Sequence, residues 1–268
     1  MLTAGRKMMK IKKWFEDGRE IILSLLFPPR CLVCDEILTP EEKEKGIHLV
    51  CESKLYPIKG AVCMHCGRPF GQEKSPNESV KEYCAECYRK GYVQKIDHRK
   101  TSAITQGKSL YLYKGAIKKS LYRLKYANKR EYAAFFAKQA VETYSEWLKG
   151  IEVIVPVPMY QKKQKQRGYN QAEVFAMELS KRTGIPVDKQ CIRRVKNTIP
   201  QKGLSDIDRK NNMENAFQRG KNIVKYSHIL LVDDIYTTGY TAEAVARELK
   251  KQGVCQIYLL SIGIGGDN

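Results

Sequence analysis

The stretch 226–246, YSHILLVDDIYTTGYTAEAVA, constrains this chain more than any other. Its first half, 228–232, is a short apolar run with branched side chains, the pattern of a buried strand. The run ends on adjacent carboxylates, Asp233 and Asp234, and breaks into TTGYT, a loop of small hydroxyl residues around a glycine. A helical pattern, AEAVARELKKQG, follows at once. Strand, hydroxyl-and-glycine loop and helix N-terminus together make a phosphate cradle, because a helix begins with unpaired N–H groups and the positive end of its dipole. The two carboxylates at the strand's C-terminal edge are then placed to hold ribose hydroxyls or an ion.

The longest apolar run near the N-terminus, 21–27, has seven residues and is closed by Pro28 and Pro29, too short to span a bilayer. Arg19 and Glu20 before it, and no small-residue cleavage site, make it a poor signal peptide, so the chain is expected in the cytoplasm. A basic start with Trp14 is compatible with peripheral contact at the inner face of the membrane.

Seven of the nine cysteines lie between residues 31 and 87, as Cys31-x2-Cys34, Cys51, Cys63-x2-Cys66 and Cys84-x2-Cys87. In a cytoplasmic chain so many paired thiols point to metal before disulfides. Residues 63–87 have the spacing of a four-thiolate zinc site closed across one loop. The earlier group is less regular: His48 and Cys51 stand where a second C-x2-C is expected, so Cys31, Cys34, His48 and Cys51 read as three thiolates and one imidazole. Four protein ligands leave no open coordination position, and one or two structural zinc ions are expected, with no catalytic zinc. The flanking text has little to bury, and metal binding would supply the folding energy that apolar burial does not. Sequential pairing of the knuckles and a cross-brace both satisfy the spacing. His65, inside the second knuckle, is expected to face solvent.

Three parts are expected: a helical segment at 1–27 with a short helix from about residue 19, a zinc-binding module at 28–96, and an α/β domain at 97–268. Within the last, the pattern predicts a strand from Ser109, helices at 115–126 and 130–148, and a strand over 151–158 running into a cationic loop. A helix is expected from near Asn170, with strands over 186–194 and 254–262. Cys191 and Cys255 read as core residues. The polar stretch 197–217 reads as an excursion over the site, with a short helix capped by Ser205 and Asp208. Strands alternating with helices describe a parallel sheet with right-handed crossovers. The net charge of +19 sits mostly there: residues 1–100 hold 19 Lys/Arg against 14 Asp/Glu, the remainder 29 against 15. Such a field favours phosphorylated small molecules or nucleic acid.

The loop from Val232 to Thr241 closely resembles the phosphoribosyl pyrophosphate (PRPP) signature of type I phosphoribosyltransferases. More widely, the chain resembles the ComF family of competence proteins in its long, zinc-knuckle-bearing form, nearly end to end. The motifs are FPPRCLVC at 27–34, CMHCGRP at 63–69, LKY at 124–126, VPVP at 155–158 and RGYNQA at 167–172. Gln201, Arg209 and Asn212 before Ala216 and Phe217, and LLVDDIYTTGYT at 230–241, complete the set. Two positions depart from the pattern: His48 stands where the family often has Cys, and Tyr240 where many phosphoribosyltransferases have Gly or Ala.

The resemblance implies a type I phosphoribosyltransferase-like sheet flanked by helices behind an N-terminal cysteine-rich zinc-knuckle module. It implies that Thr237, Thr238, Gly239 and Thr241 hold the 5′-phosphate of PRPP, or of a related phosphorylated ribose. Asp233 and Asp234 would take the ribose hydroxyls beside Mg²⁺, and Arg167 the pyrophosphate; Asp233, Asp234 and Arg167 are also the candidate catalytic residues. It further implies a role in DNA uptake during natural transformation, with single-stranded DNA and other uptake proteins as partners. Two alternatives stand beside this: a non-catalytic single-stranded-DNA-binding accessory protein with a regulatory or vestigial pocket, and a phosphoribosyltransferase for a nucleobase or nucleotide-related acceptor. The acceptor is not legible in the residues.

Overall fold

The computed structural model describes residues 28–70, 82–93, 101–197, 208, 212, 213, 215–220 and 226–265, and the chain divides into two compact units, 1–54 and 55–268. The short helix expected before Pro28, and most of the 197–217 excursion with Gln201, Ser205 and Arg209, lie outside the described residues.

In the first unit, residues 30–37 form a tight knuckle in which Cys31 N–H donates to the Glu36 carbonyl at 2.8 Å and Asp35 N–H to the Cys31 carbonyl at 2.8 Å. Asp35 adopts the left-handed conformation this turn requires, φ 67°. Helix α1 (Pro40–Lys43) starts from a capping box between Thr39 and Glu42, and α2 (Leu49–Glu52) starts at His48. The apolar core is small, with Leu32, Leu38 and Ile47 buried around Cys31 and Cys51.

The second unit opens with the same knuckle built again. Cys63 N–H donates to the Arg68 carbonyl at 2.8 Å and Gly67 N–H to the Cys63 carbonyl at 2.9 Å. Gly67 takes the left-handed position at φ 74°. Helix α3 (Ala85–Arg89) starts at Cys84, as α2 starts at His48. This knuckle lies against the sheet: Gly107 N–H donates to the His65 carbonyl at 2.6 Å, and a Cβ on Gly67 would sit 2.7 Å from the Gly107 carbonyl oxygen. His65 is therefore buried, contrary to the expectation that it faces solvent.

Strands β1 (Gln106–Leu112), β2 (Val153–Pro156), β5 (His228–Tyr236) and β6 (Gln256–Ile264) form a parallel sheet in the order β1-β6-β5-β2. Helices α4 (Gly115–Tyr126), α5 (Tyr132–Tyr144), α6 (Gln161–Arg167), α7 (Gln171–Thr183) and α8 (Tyr240–Lys250) make its connections, and β3 (Ile192–Arg194) pairs antiparallel with β4 (Phe217–Arg219). The sheet flanked by helices is the architecture that the alternating pattern predicts. Ile229 to Val232 are buried, as a central parallel strand covered on both faces requires. The inner face of α4 is Ile117, Leu121 and Leu124, all fully buried.

Four local expectations are corrected. The organising strand does not stop at the carboxylates: β5 pairs with β6 as far as Tyr236, while β2 ends opposite Val232. The cationic loop at 161–167 is a helix, because QKKQKQR consists of good helix formers and Gly168 closes it in the left-handed conformation, φ 85°. Residues 186–194 are not one strand; the Asp188 carboxylate accepts from the N–H groups of Gln190 at 2.7 Å and Cys191 at 3.0 Å, and the resulting turn separates the Val187 bridge from β3. Cys191 is buried, but Cys255 lies just before β6 and is exposed.

Candidate functional site

Two ligand quartets form. Cys31, Cys34, His48 and Cys51 make one and Cys63, Cys66, Cys84 and Cys87 the other, with the ligand atoms of each within 4.8 Å of one another. The pairing is sequential, and no cross-brace is made. Four sulfurs around zinc at about 2.3 Å have tetrahedral edges of roughly 3.8 Å. In the second quartet the Cys63–Cys87 and Cys66–Cys84 sulfurs are 3.7 Å apart and those of Cys84 and Cys87 3.5 Å. In the first, Cys34 Sγ lies 3.2 Å from His48 Nδ1, and His48 Nε2 lies 3.1 Å from the Ile37 carbonyl. A donor on Nε2 leaves the Nδ1 lone pair for a metal, so His48 does the work of Cys84 at the same helix N-cap. Both donor sets suit structural Zn²⁺. His65 is not in the second quartet; its Nδ1 lies 3.3 Å from Cys87 Sγ and its ring 5.3 Å from Tyr92.

The loop between β5 and α8 forms a notch. Gly239 caps the helix at φ 82°, so α8 begins at Tyr240 and Thr241 belongs to its first turn. Asp233, Tyr236, Thr238, Gly239 and Thr241 line a cavity of about 20 Å³, on the scale of a small anionic group. Thr238 is 5% exposed, and its Oγ1 has no hydrogen-bond partner among the described residues. The Thr241 hydroxyl reaches the Met213 sulfur at 3.6 Å, which brings part of the 197–217 excursion onto the loop. The Tyr240 ring lies 5.0 Å from the Lys90 ammonium.

Asp233 and Asp234 sit where β5 extends past β2. Asp234 N–H donates to Asp233 Oδ1 at 2.8 Å, and Lys125 Nζ, from the last turn of α4, pairs with Asp234 Oδ2 at 2.6 Å. Burial and then the Asp234 charge push the Asp233 carboxyl up to about 8. Burial pulls the Lys125 ammonium down, but Asp234 and Asp233 outweigh it and the net shift is upward. Arg167 donates to Gln171 Oε1 at 2.6 Å and to the Tyr126 hydroxyl at 3.2 Å, with its guanidinium over the Tyr126 ring. Asn170 caps α7 and donates to the Val157 carbonyl at 2.9 Å, tying the helix start to the end of β2.

Arg68, Lys90 and Tyr92 carry no motif that marks them, yet they reach the loop. Arg68 Nη2 donates to the Thr237 carbonyl at 3.1 Å, Lys90 Nζ to the Thr238 carbonyl at 2.8 Å and Tyr92 to the same carbonyl at 3.5 Å. Lys125 lies within the LKY motif, but its partner on β5 is readable only in three dimensions.

Two family models match: a double zinc ribbon domain over residues 22–88 and a phosphoribosyl transferase domain over residues 170–262. Competence protein F of Haemophilus influenzae is 44% identical over 112 residues, 41% of this chain and 49% of that protein, so the match spans about half its length. Competence protein ComFC of Bacillus subtilis is 30% identical over 237 residues, 83% of this chain and 89% of that one. DNA utilization protein YhgH of Salmonella typhi is 28% identical over 217 residues, covering 79% and 87%. Among solved structures, an adenine phosphoribosyltransferase superposes with a TM-score of 0.33 at 14% identity, covering 55% of this chain and 84% of that one.

Proposed function

The chain belongs to the ComF family of competence proteins, and from that premise we propose that it binds PRPP, or a related phosphorylated ribose, with Mg²⁺ and takes part in DNA uptake, handling incoming single-stranded DNA on the cytoplasmic side. The observation that carries the ligand assignment is the Thr238 hydroxyl, buried without a partner among the described residues at the start of α8. A buried polar group in that place is satisfied by an anion.

Thr237, Thr238, Gly239 and Thr241 would hold the 5′-phosphate, Asp233 and Asp234 the ribose hydroxyls, and Arg167 the pyrophosphate. Bound Mg²⁺ would neutralise the pyrophosphate charge. Asp233, Asp234 and Arg167 are the residues that would serve a phosphoribosyl transfer. The competence and DNA-utilization names of the relatives support the uptake role, in which other uptake proteins are natural partners. A second reading, a non-catalytic accessory protein with a regulatory pocket, is favoured by two internal pairings. Lys125 holds Asp234, and Gln171 with Tyr126 holds Arg167, so groups that a transferase presents to substrate are engaged within the protein.

Calorimetric titration of the zinc-loaded protein with PRPP and Mg²⁺, with and without a single-stranded oligonucleotide, tests the assignment. Binding is expected, and its loss is expected in the folded double variant Asp233→Asn, Asp234→Asn. Unchanged binding in that variant would remove the ribose role. Release of pyrophosphate on adding candidate acceptors separates the transferase from the regulatory reading.

A further inference from the structure

Two segments of the second unit carry basic residues and no acidic one: residues 115–130 hold six Lys or Arg, and residues 157–172 hold four. The fold joins them. The Arg130 guanidinium lies 4.1 Å from the Tyr169 ring centroid, Arg167 lies 4.7 Å from that of Tyr126, and the Tyr169 hydroxyl donates to the Leu124 carbonyl. One cationic face results, and Lys125 connects it to Asp234 at the edge of the phosphate notch. Lys163 is pulled down by burial and by the nearby charges of Arg194 and Arg167, so cations crowd one another here and a polyanion relieves the repulsion.

On the outer side of α4 stand two tyrosines. Tyr122 and Tyr126 are 63% and 62% exposed, one turn apart, with ring centroids 4.9 Å from each other. The helix already buries its inner face through Ile117, Leu121 and Leu124, so packing gives no reason for large rings outside. Exposed Lys118 and Lys119 lie one turn earlier. Beyond Arg167, a cleft of about 600 Å³ continues the surface, with Lys162, Lys165, Arg193 and Arg194 on its walls. Its lining holds one acid, Glu173, which Lys189 neutralises at 2.8 Å.

Rings presented face-outward among cations match a single strand of nucleic acid, whose bases offer π faces and whose backbone offers phosphates. We propose that Tyr122 and Tyr126 form a base-stacking platform for single-stranded DNA, with its phosphates running over the cations of α4 and α6 toward the notch at Thr238. The proposal rests on the reading that the protein handles single-stranded DNA, and it names the surface. A duplex hides its base faces and gains only the electrostatic part.

Fluorescence anisotropy with a labelled single-stranded oligonucleotide, at several salt concentrations on the zinc-loaded full chain, tests it. Y122A/Y126A is expected to weaken binding by roughly tenfold or more while leaving the slope of log affinity against log salt unchanged, because stacking and not ion release is lost. Y122F/Y126F keeps the π faces and is expected to bind as wild type. K118A/K119A is expected to lower the slope by about one. Wild-type affinity in Y122A/Y126A, or a duplex bound as tightly as the single strand, would overturn the platform and leave the DNA-handling reading standing. Absence of binding to the wild type at low salt would overturn both.

Discussion

Lys90 Nζ donates to the carbonyl of Thr238 at 2.8 Å, joining the second zinc knuckle to the phosphate loop across 148 residues of sequence. The Lys90 side chain is 2% exposed and is also paired with Glu86 at 2.6 Å. Arg68 holds the preceding carbonyl, that of Thr237. In a trans peptide the C=O and the following N–H point opposite ways. Pulling the carbonyls of Thr237 and Thr238 toward the knuckle therefore turns the N–H groups of Thr238 and Gly239 away from it. The knuckle thus sets the loop's donor direction before any ligand arrives.

Lys90→Met is expected to weaken PRPP binding by about tenfold, the scale of one charge-assisted hydrogen bond. It is also expected to speed hydrogen exchange at residues 237–241 in the ligand-free protein. The exchange measurement needs no ligand, so it checks the loop-setting role even if PRPP is the wrong anion. Unchanged exchange at the loop would contradict that role.

The same coupling makes zinc and the loop ligand interdependent. Whatever the Cys63–Cys87 quartet contributes to ligand affinity, the ligand returns to zinc retention, since linkage is reciprocal. Release of zinc to a colorimetric chelator should occur in two phases, and saturating PRPP with Mg²⁺ should slow the one that Cys84→Ser removes. The phase lost in His48→Ala should be unaffected. Full chelation is expected to unfold the first unit, whose buried apolar residues are few, with loss of its amide protection.

Asp233 supplies a pH test. Its carboxyl is raised in the folded protein to about 8, above the ordinary carboxylate value. A raised acid contributes stability that is complete below the unfolded pKa, about 4, and is lost as pH climbs toward 8. Asp233→Asn keeps an oxygen for the Asp234 N–H and cannot ionise. It should match the wild type near pH 4 and exceed it by a few kcal/mol at pH 9, a shift limited because Asp233 is only half-buried. Denaturant unfolding at the two pH values measures this. A variant less stable than the wild type at pH 9 would rule out a strained carboxylate.

How much of this was legible follows from how local each signal is. The strand, loop and helix at 226–250 could be read because turn chemistry and periodicity are properties of adjacent residues. The eight zinc ligands could be listed from spacing; their pairing, and the equivalence of His48 with Cys84, needed the two knuckles to be seen as copies with the same N-cap. Lys90, Arg68 and Lys125 were not legible, since nothing local distinguishes a lysine that salts a surface from one that crosses to another element. His65 was misread for the same reason: a polar residue in a knuckle is solvent-facing only until a strand edge, here Gly107, is laid against it. The end of β5 was misplaced because two carboxylates look like a strand terminus, whereas pairing with β6 continues to Tyr236.

Gly239 gives the sharpest test of the notch. Its φ of 82° is in the region that side chains disfavour, and a Cβ there would overlap the Tyr236 hydroxyl. Tyr236 is 5% exposed and part of the buried core, so it has little room to retreat. Gly239→Ala must therefore move either the ring or the loop, at roughly 2 kcal/mol for the backbone conformation alone. The zinc quartets lie elsewhere in the chain and should keep their metal. The expected variant is folded and zinc-replete with its thermal midpoint lowered by several degrees and no PRPP binding detectable by calorimetry. Tyr236→Phe combined with Gly239→Ala removes the overlapping oxygen and should recover part of the stability. Full PRPP affinity in Gly239→Ala would mean that the ligand does not rest on the N-terminus of α8.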